Sequence, residues 1–175
     1  IDTAMKRVPI SRRIWLSKQA CGHCAVGVVL QRRRKQDHDH CPRCGESETA
    51  SHVLICQDER AIKKWNYDVT ILNSWLIDRH TAPAIRLAII QNLRRWKRQL
   101  PPTINSLSTT LATALATQSA IGWNNLLIGR MSDCWAPLQQ QYFTSLGKKT
   151  TGRSWAVSLL VQLWQLSWNQ WDHRN

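Results

Sequence analysis

Residues 41–56 read CPRCGESETASHVLIC, a polar stretch holding Cys41, Cys44, His52 and Cys56. The spacing Cys-x2-Cys-x7-His-x3-Cys supplies three thiolates and one imidazole, the donor set that a tetrahedral, thiophilic ion such as Zn2+ prefers. Pro42, Arg43 and Gly45 predict a tight turn around the first pair, with backbone N–H groups aimed at sulfur. His52 and Cys56 stand four apart, so one helical turn puts them on the same face. Four protein ligands close the shell and leave no position for water, which implies a folding role for the ion rather than catalysis.

Six cysteines could also pair as disulfides. The CxxC spacings and the absence of a secretory signal pattern favour thiolate ligands in a reducing compartment. Cys21-x2-Cys24 precedes Cys41-x2-Cys44 by a gap of 16 residues, which a four-Cys zinc ribbon would accept. That ribbon would leave His52 and Cys56 idle, and it closes a longer loop at greater entropic cost. The local set is preferred. Cys21, His23 and Cys24 are then packing residues, with a second metal there, helped by His38 or His40, as the minor alternative, and Cys134 is read as a buried thiol.

Outward from this segment the pattern is helical. Ser11 is the expected N-cap of a short helix carrying Ile14, Trp15 and Lys18, and residues 24–35 predict a second with a basic end. Ile62, Trp65, Val69, Leu72, Trp75 and Leu76 recur at steps of three and four and predict a helix over 59–78. Thr81 is the expected cap of the next, with Pro83 in its first turn and Leu87, Ile90, Leu93 and Trp96 on its apolar face. Residues 101–110 (PPTINSLSTT) read as a linker. Beyond it, residues 111–131 predict a helix weakened by Gly122, with Leu115, Ile121, Trp123 and Leu127 as core candidates. Trp135, Leu138, Tyr142 and Leu146 mark another helix that ends at Gly147. The last carries Trp164, Trp168 and Trp171 beside Leu159, Leu160 and Leu163, an apolar face too wide to stand unpartnered. The expected fold is mostly α, a small CCHC zinc-binding module plus a Trp-rich helical bundle. The expected division is 1–58 (basic helices and zinc module), 59–100 (helical hairpin packing on it), 101–110 (linker) and 111–175 (C-terminal helical module).

Charge narrows the function. The 175 residues hold 24 Lys and Arg against 11 Asp and Glu, a formal net charge of +13, which favours a polyanionic partner. Residues 1–64 carry 13 basic against 7 acidic residues and residues 65–175 carry 11 against 4, so neither half holds a monopoly. Candidate phosphate contacts are Arg12 and Arg13 beside Trp15, the run Arg32, Arg33, Arg34 and Lys35, then Arg43, the helix end Arg94, Arg95, Lys97 and Arg98, and Lys148 with Lys149 in a glycine-containing turn. Trp15, with two arginines adjacent, is the tryptophan best placed to stack on a base; the others sit at core spacing. The RRRK run is also compatible with nuclear import. Two-metal nucleases and polymerases need clustered carboxylates, and the acidic residues here are few and scattered, so no catalytic residue is expected. No apolar run is long enough to span a bilayer, and the expected location is intracellular, nuclear or cytoplasmic. The chain reads as part of something longer.

The run RRIWLSKQACGHCAVGVVLQRRRKQDHDHCPRCGESETASHVLICQ (12–57) resembles the zinc-binding region that follows the reverse transcriptase domain in non-LTR retrotransposons. There, a CxxC precedes an acidic, Thr-rich loop and a His-Val/Leu-Leu-x-Cys helix start. The Trp-rich tail ending SWNQWDHRN is similar to hypothetical retroelement-derived proteins of protist genomes. The Cys44-to-His52 interval departs from the four-residue interval of the retroviral knuckle, so single-strand binding in the knuckle manner is not implied. The resemblance implies a non-catalytic accessory region of an element-encoded polymerase that holds template RNA or target DNA. The competing expectation is a protein-interaction or scaffold module with a structural zinc and no nucleic-acid role.

Overall fold

The computed structural model describes residues 1–104 and 108–174. Its elements are α1 (Asp2–Met5), α2 (Ile10–Ala20), α3 (Gly27–Arg32), α4 (His52–Ile55), α5 (Glu59–Asp78), α6 (Pro83–Lys97), α7 (Thr109–Ile121), α8 (Trp123–Leu127), α9 (Trp135–Ser145) and α10 (Gly152–Arg174). Among the described residues the β structure is one antiparallel bridge, His40 with Ser47. The fold is mostly α. No described helix is long and apolar enough to cross a membrane.

Helix α5 spans the predicted range. Asp58 caps it by accepting the Arg60 N–H at 3.0 Å, which satisfies one of the donors a helix start leaves open. Trp65, Val69, Leu72 and Leu76 are its buried stripe, and Ile62 and Trp75 flank it half-buried. Two expected caps lie elsewhere. Pro9, not Ser11, precedes α2, and Ala82 precedes α6, where Pro83 takes the first helical position. Thr81 is instead buried, its Oγ1 accepting the Trp155 Nε1–H at 2.9 Å. The helix expected over 111–131 breaks where the sequence weakens it: Gly122 takes φ 101°, a conformation that L side chains rarely adopt, and so divides α7 from α8.

Helix α10 is central, which accounts for its wide apolar face. Trp155, Leu159, Leu163 and Leu166 join the core built from α5 to α9. Leu160, Trp164 and Trp171 join a second core with Ala4, Val8, Trp15, Val29 and Val53 from the N-terminal third. Leu54 enters the first core from the Cys/His segment. The stretch 101–110 therefore does not separate two cores: the last helix of the chain is shared by both. At 105–107 that stretch lies outside the described residues.

Buried polar side chains tie the elements together. Gln139 Oε1 accepts the Ala82 N–H at 2.9 Å while its Nε2 donates to the His80 carbonyl at 3.0 Å, joining α9 to the α5–α6 turn. Gln118 Oε1 accepts from Ser132 N and Trp135 Nε1. Asp68, on the buried side of α5, accepts from Lys64 Nζ at 2.6 Å, Asn169 Nδ2 at 3.0 Å and Gln170 Nε2 at 2.9 Å, clamping α10 to α5. Each removes the cost of a buried unpaired group while fixing the register of two helices.

Candidate metal centre

Cys41, Cys44, His52 and Cys56 come together with their ligand atoms all within 4.8 Å of one another. Cys41 Sγ lies 4.0 Å from Cys56 Sγ, and Cys44 Sγ lies 3.2 Å from His52 Nε2. A tetrahedral ion with metal–sulfur bonds of about 2.3 Å and metal–nitrogen bonds of about 2.0–2.1 Å sets sulfurs roughly 3.8 Å apart and sulfur and nitrogen roughly 3.6 Å apart. The donors straddle those values, so the cluster fits one metal ion. Among the described residues it is the one gathering of three or more such side chains.

The local chain explains the convergence. Asp39 O accepts the Glu48 N–H at 2.8 Å and Glu46 O accepts the Cys41 N–H at 2.7 Å, so the strands entering and leaving the turn are pinned together. Gly45, at φ 79°, lets the chain reverse and return its N–H to the Cys41 carbonyl at 2.9 Å. His52 opens α4 and Cys56 ends it, with Cys56 N–H on the His52 carbonyl at 2.7 Å. The Thr49 hydroxyl accepts the His52 N–H at 3.1 Å.

The electrostatics differ from ligand to ligand. Burial opposes ionisation of Cys41, but the backbone N–H groups of Cys44 and Arg43, with the Arg43 side chain close by, hold its thiol below the ordinary range. Burial pushes Cys44 up to about 12, and its thiol neighbours Cys56 and Cys41 reinforce this, as expected when sulfurs compete to hold protons. Burial lowers His52, favouring the neutral imidazole that a metal needs. Its Nδ1 is 3.9 Å from Glu46 Oε2.

Two of the predicted phosphate contacts belong to this centre and face inward. Lys97 is 2% exposed, and its Nζ donates to the carbonyls of Leu54 at 2.7 Å and Cys56 at 2.9 Å while standing 5.4 Å from the Trp65 ring centroid. Arg43 is 9% exposed and donates from Nη2 to the Val53 carbonyl at 2.9 Å. Neither is available to a phosphate. Lys97 satisfies carbonyls that the single turn of α4 leaves open, and desolvation, reinforced by Arg43, lowers it to about 8. Trp15 is likewise not a surface stacking platform: it is buried, edge-on to Trp168 at 5.3 Å and tilted against Trp171 at 6.0 Å.

The remaining candidates are at the surface. Arg32, Arg33, Arg34, Lys35, Arg94, Arg98, Lys148 and Lys149 are exposed, and Arg12, Arg13 and Arg95 are half-buried. Cys24 is buried and donates to Gln19 Oε1 at 3.0 Å, Cys21 is exposed, and neither joins the cluster. His38 and His40 stack on each other at 5.2 Å, with Asp39 Oδ1 3.5 Å from His40 Nδ1, and they do not join the cluster. Cys134 is half-buried rather than buried.

The sequence reading missed Glu48. Its side chain is fully buried, accepts the Gly27 N–H at 2.9 Å and forms a two-pronged ion pair with Arg174, with Arg174 Nε on Oε1 at 2.7 Å and Nη2 on Oε2. The pair fastens the end of α10 to the Cys/His segment and to the start of α3. Comparison with known proteins adds nothing to this assignment: no family model, curated protein or solved structure matches the chain.

Proposed function

We propose that this protein is a non-catalytic, zinc-stabilised helical module that binds RNA or DNA through its exposed arginines and lysines. The donor set of three sulfurs and one nitrogen argues for zinc over the harder ions that take oxygen. Cys41, Cys44, His52 and Cys56 would hold it, and the ion would supply the cross-link that keeps residues 41–56 folded.

The observation that carries the reading is a groove at the end of α6. Arg94, Arg95 and Arg98 line it with Gln91, Leu87 and Leu100, around a volume of about 420 Å³. The chain that follows Leu100 is pinned back onto α6. Asn92 exchanges hydrogen bonds with the Thr103 N–H (2.7 Å) and carbonyl (3.1 Å), and Arg95 Nε donates to the Pro101 carbonyl at 2.6 Å. Among the described residues none of the three arginines meets a carboxylate; the ion pairs of Lys and Arg are Arg60 with Asp58, Lys64 with Asp68 and Arg174 with Glu48. Unpaired guanidinium groups over apolar side chains suit the phosphates and bases of a flexible strand. The resemblance of residues 12–57 to the region after a retrotransposon polymerase supports placing this module in such a protein.

The test is binding to oligonucleotides over a salt series. Affinity should fall steeply with salt and rise with length, and Arg94→Gln or Arg98→Gln should each reduce the salt slope by about 1. No retention on RNA or DNA at low salt would refute the reading. It would favour instead a scaffold role, for which the exposed Tyr67 and Ile71, four apart on α5, offer an apolar contact.

A further inference from the structure

A second concavity lies where α2 and the chain before it cross α10. It holds about 190 Å³ and is more enclosed than the α6 groove, with Trp15, Leu16, Val161 and Trp164 among its walls and Arg7 and Arg12 on its rim. A cavity on the order of 150 Å³ accommodates one benzene ring, so this one takes a single planar ring with its substituents.

The charge and polarity of the site are specific. Arg7 donates to the Ser158 hydroxyl at 3.1 Å, and Arg12 donates to Gln165 Oε1 and lies 5.5 Å from the Trp168 ring centroid. Gln165 is itself held, its Nε2 donating to Asn169 Oδ1 at 2.7 Å, so Arg12 is steered by a fixed acceptor. Among the described residues neither arginine meets a carboxylate. Two guanidinium groups thus keep an unneutralised charge beside an apolar hollow. The Nε1–H groups of Trp15 and Trp164 are both buried and without partners. Trp164 contributes its ring, whose Nε1 edge packs toward Gly129.

We propose that this cavity binds one nucleotide, its ring among Trp15, Leu16, Val161 and Trp164 and its phosphate on Arg7 and Arg12. The choice of a nucleotide over other ring-bearing anions rests on the nucleic-acid reading above; the ring and anion requirements do not.

The zinc-loaded full chain is titrated, by calorimetry and ligand-observed NMR, with uridine and adenosine 5′-monophosphates, uridine, inorganic phosphate and phenyl phosphate. A mononucleotide should bind, with uridine and phosphate each weaker by about tenfold or more. Arg12→Gln should cost about tenfold. Val161→Phe, which fills the hollow and keeps the charge, should abolish mononucleotide binding and leave a long oligonucleotide on the α6 groove. No mononucleotide binding up to about 10 mM, or binding unchanged by Val161→Phe, would overturn the site. Phenyl phosphate binding as tightly as the mononucleotides would overturn the nucleotide assignment. Mononucleotide binding with no oligonucleotide binding would retain the pocket and defeat the function proposed above.

Discussion

Removing the metal should unfold one part of this protein and spare another. The segment 41–56 has a single helical turn, α4, far below the length at which an isolated helix persists. Its buried aliphatic anchors, Val53 at 0% and Leu54 at 3% exposed, contribute roughly 3–6 kcal/mol together. Fixing the backbone costs about 1–2 kcal/mol per residue across the segment, well beyond those anchors. A structural zinc contributes on the order of 10 kcal/mol. Chelation removes that contribution, and the segment should open from about Asp39 to Gln57, releasing Lys97 and Glu48 from their partners. The core of α5, α6 and α10 uses no ligand residue, and Trp65, Leu72, Leu93 and Leu159 should stay packed. Hydrogen exchange read by mass spectrometry before and after chelation resolves the two regions. Protection at 41–56 should vanish and protection in α5 and α10 should persist apart from the last turns. Unchanged protection of 41–56 in demonstrably metal-free protein would refute the reasoning, as would cooperative loss of the whole fold.

Glu48→Gln leaves the Arg174 guanidinium without its carboxylate, a defect worth about 3–5 kcal/mol for a buried pair, and the thermal midpoint should fall by about 10 °C. His80, beyond the C-cap of α5, takes φ 50°, and its N–H and that of Thr81 close the helix end on the Ile77 and Leu76 carbonyls. His80→Gly relieves that conformation and should stabilise the protein by about 1 kcal/mol, a rise of roughly 2–4 °C in a melting curve. Lys97→Met should weaken metal binding by about 10–100-fold in competition with a chromophoric chelator, the usual effect of losing an outer-shell partner; affinity within twofold of wild type would show Lys97 to be a packing residue alone.

What was legible in the sequence was local. The four ligands could be read because donor chemistry and spacing suffice to define a closed shell, and α5 because one stripe of apolar side chains repeats over about four turns. The caps failed at Ser11 and Thr81 because a hydroxyl near a helix start has competing uses, here the indole N–H of Trp155, which is 74 residues away. Residues 101–110 have linker composition, whereas the burial of α10 depends on partners on both of its sides. Asp68 carried a signal that went unused: it stands at i+3 from Trp65 and beside Val69, inside the apolar stripe, where a carboxylate must find partners. Lys97 carried the same signal, four beyond Leu93 and eight beyond Ile89 on the inner face of α6.

The basic run ending α6 is therefore two features, divided by helical geometry. At 100° per residue Arg94, Arg95 and Arg98 fall with Gln91 on one side, and Lys97 falls with Leu93 on the other. The outer three keep their charge in solvent and line the groove. Lys97 and Arg43 are buried beside the cysteines with backbone carbonyls as their hydrogen-bond acceptors and no carboxylate. Burying two cations against neutral thiols would be costly. Three thiolates and a neutral imidazole around a divalent ion carry a net charge of −1, which offsets that cost and is stabilised by both cations. The inward turn of Lys97 is thus independent support for a metal at Cys41, Cys44, His52 and Cys56, reached from charge balance rather than ligand spacing. The nucleic-acid contacts proposed above must then come from the residues that point outward.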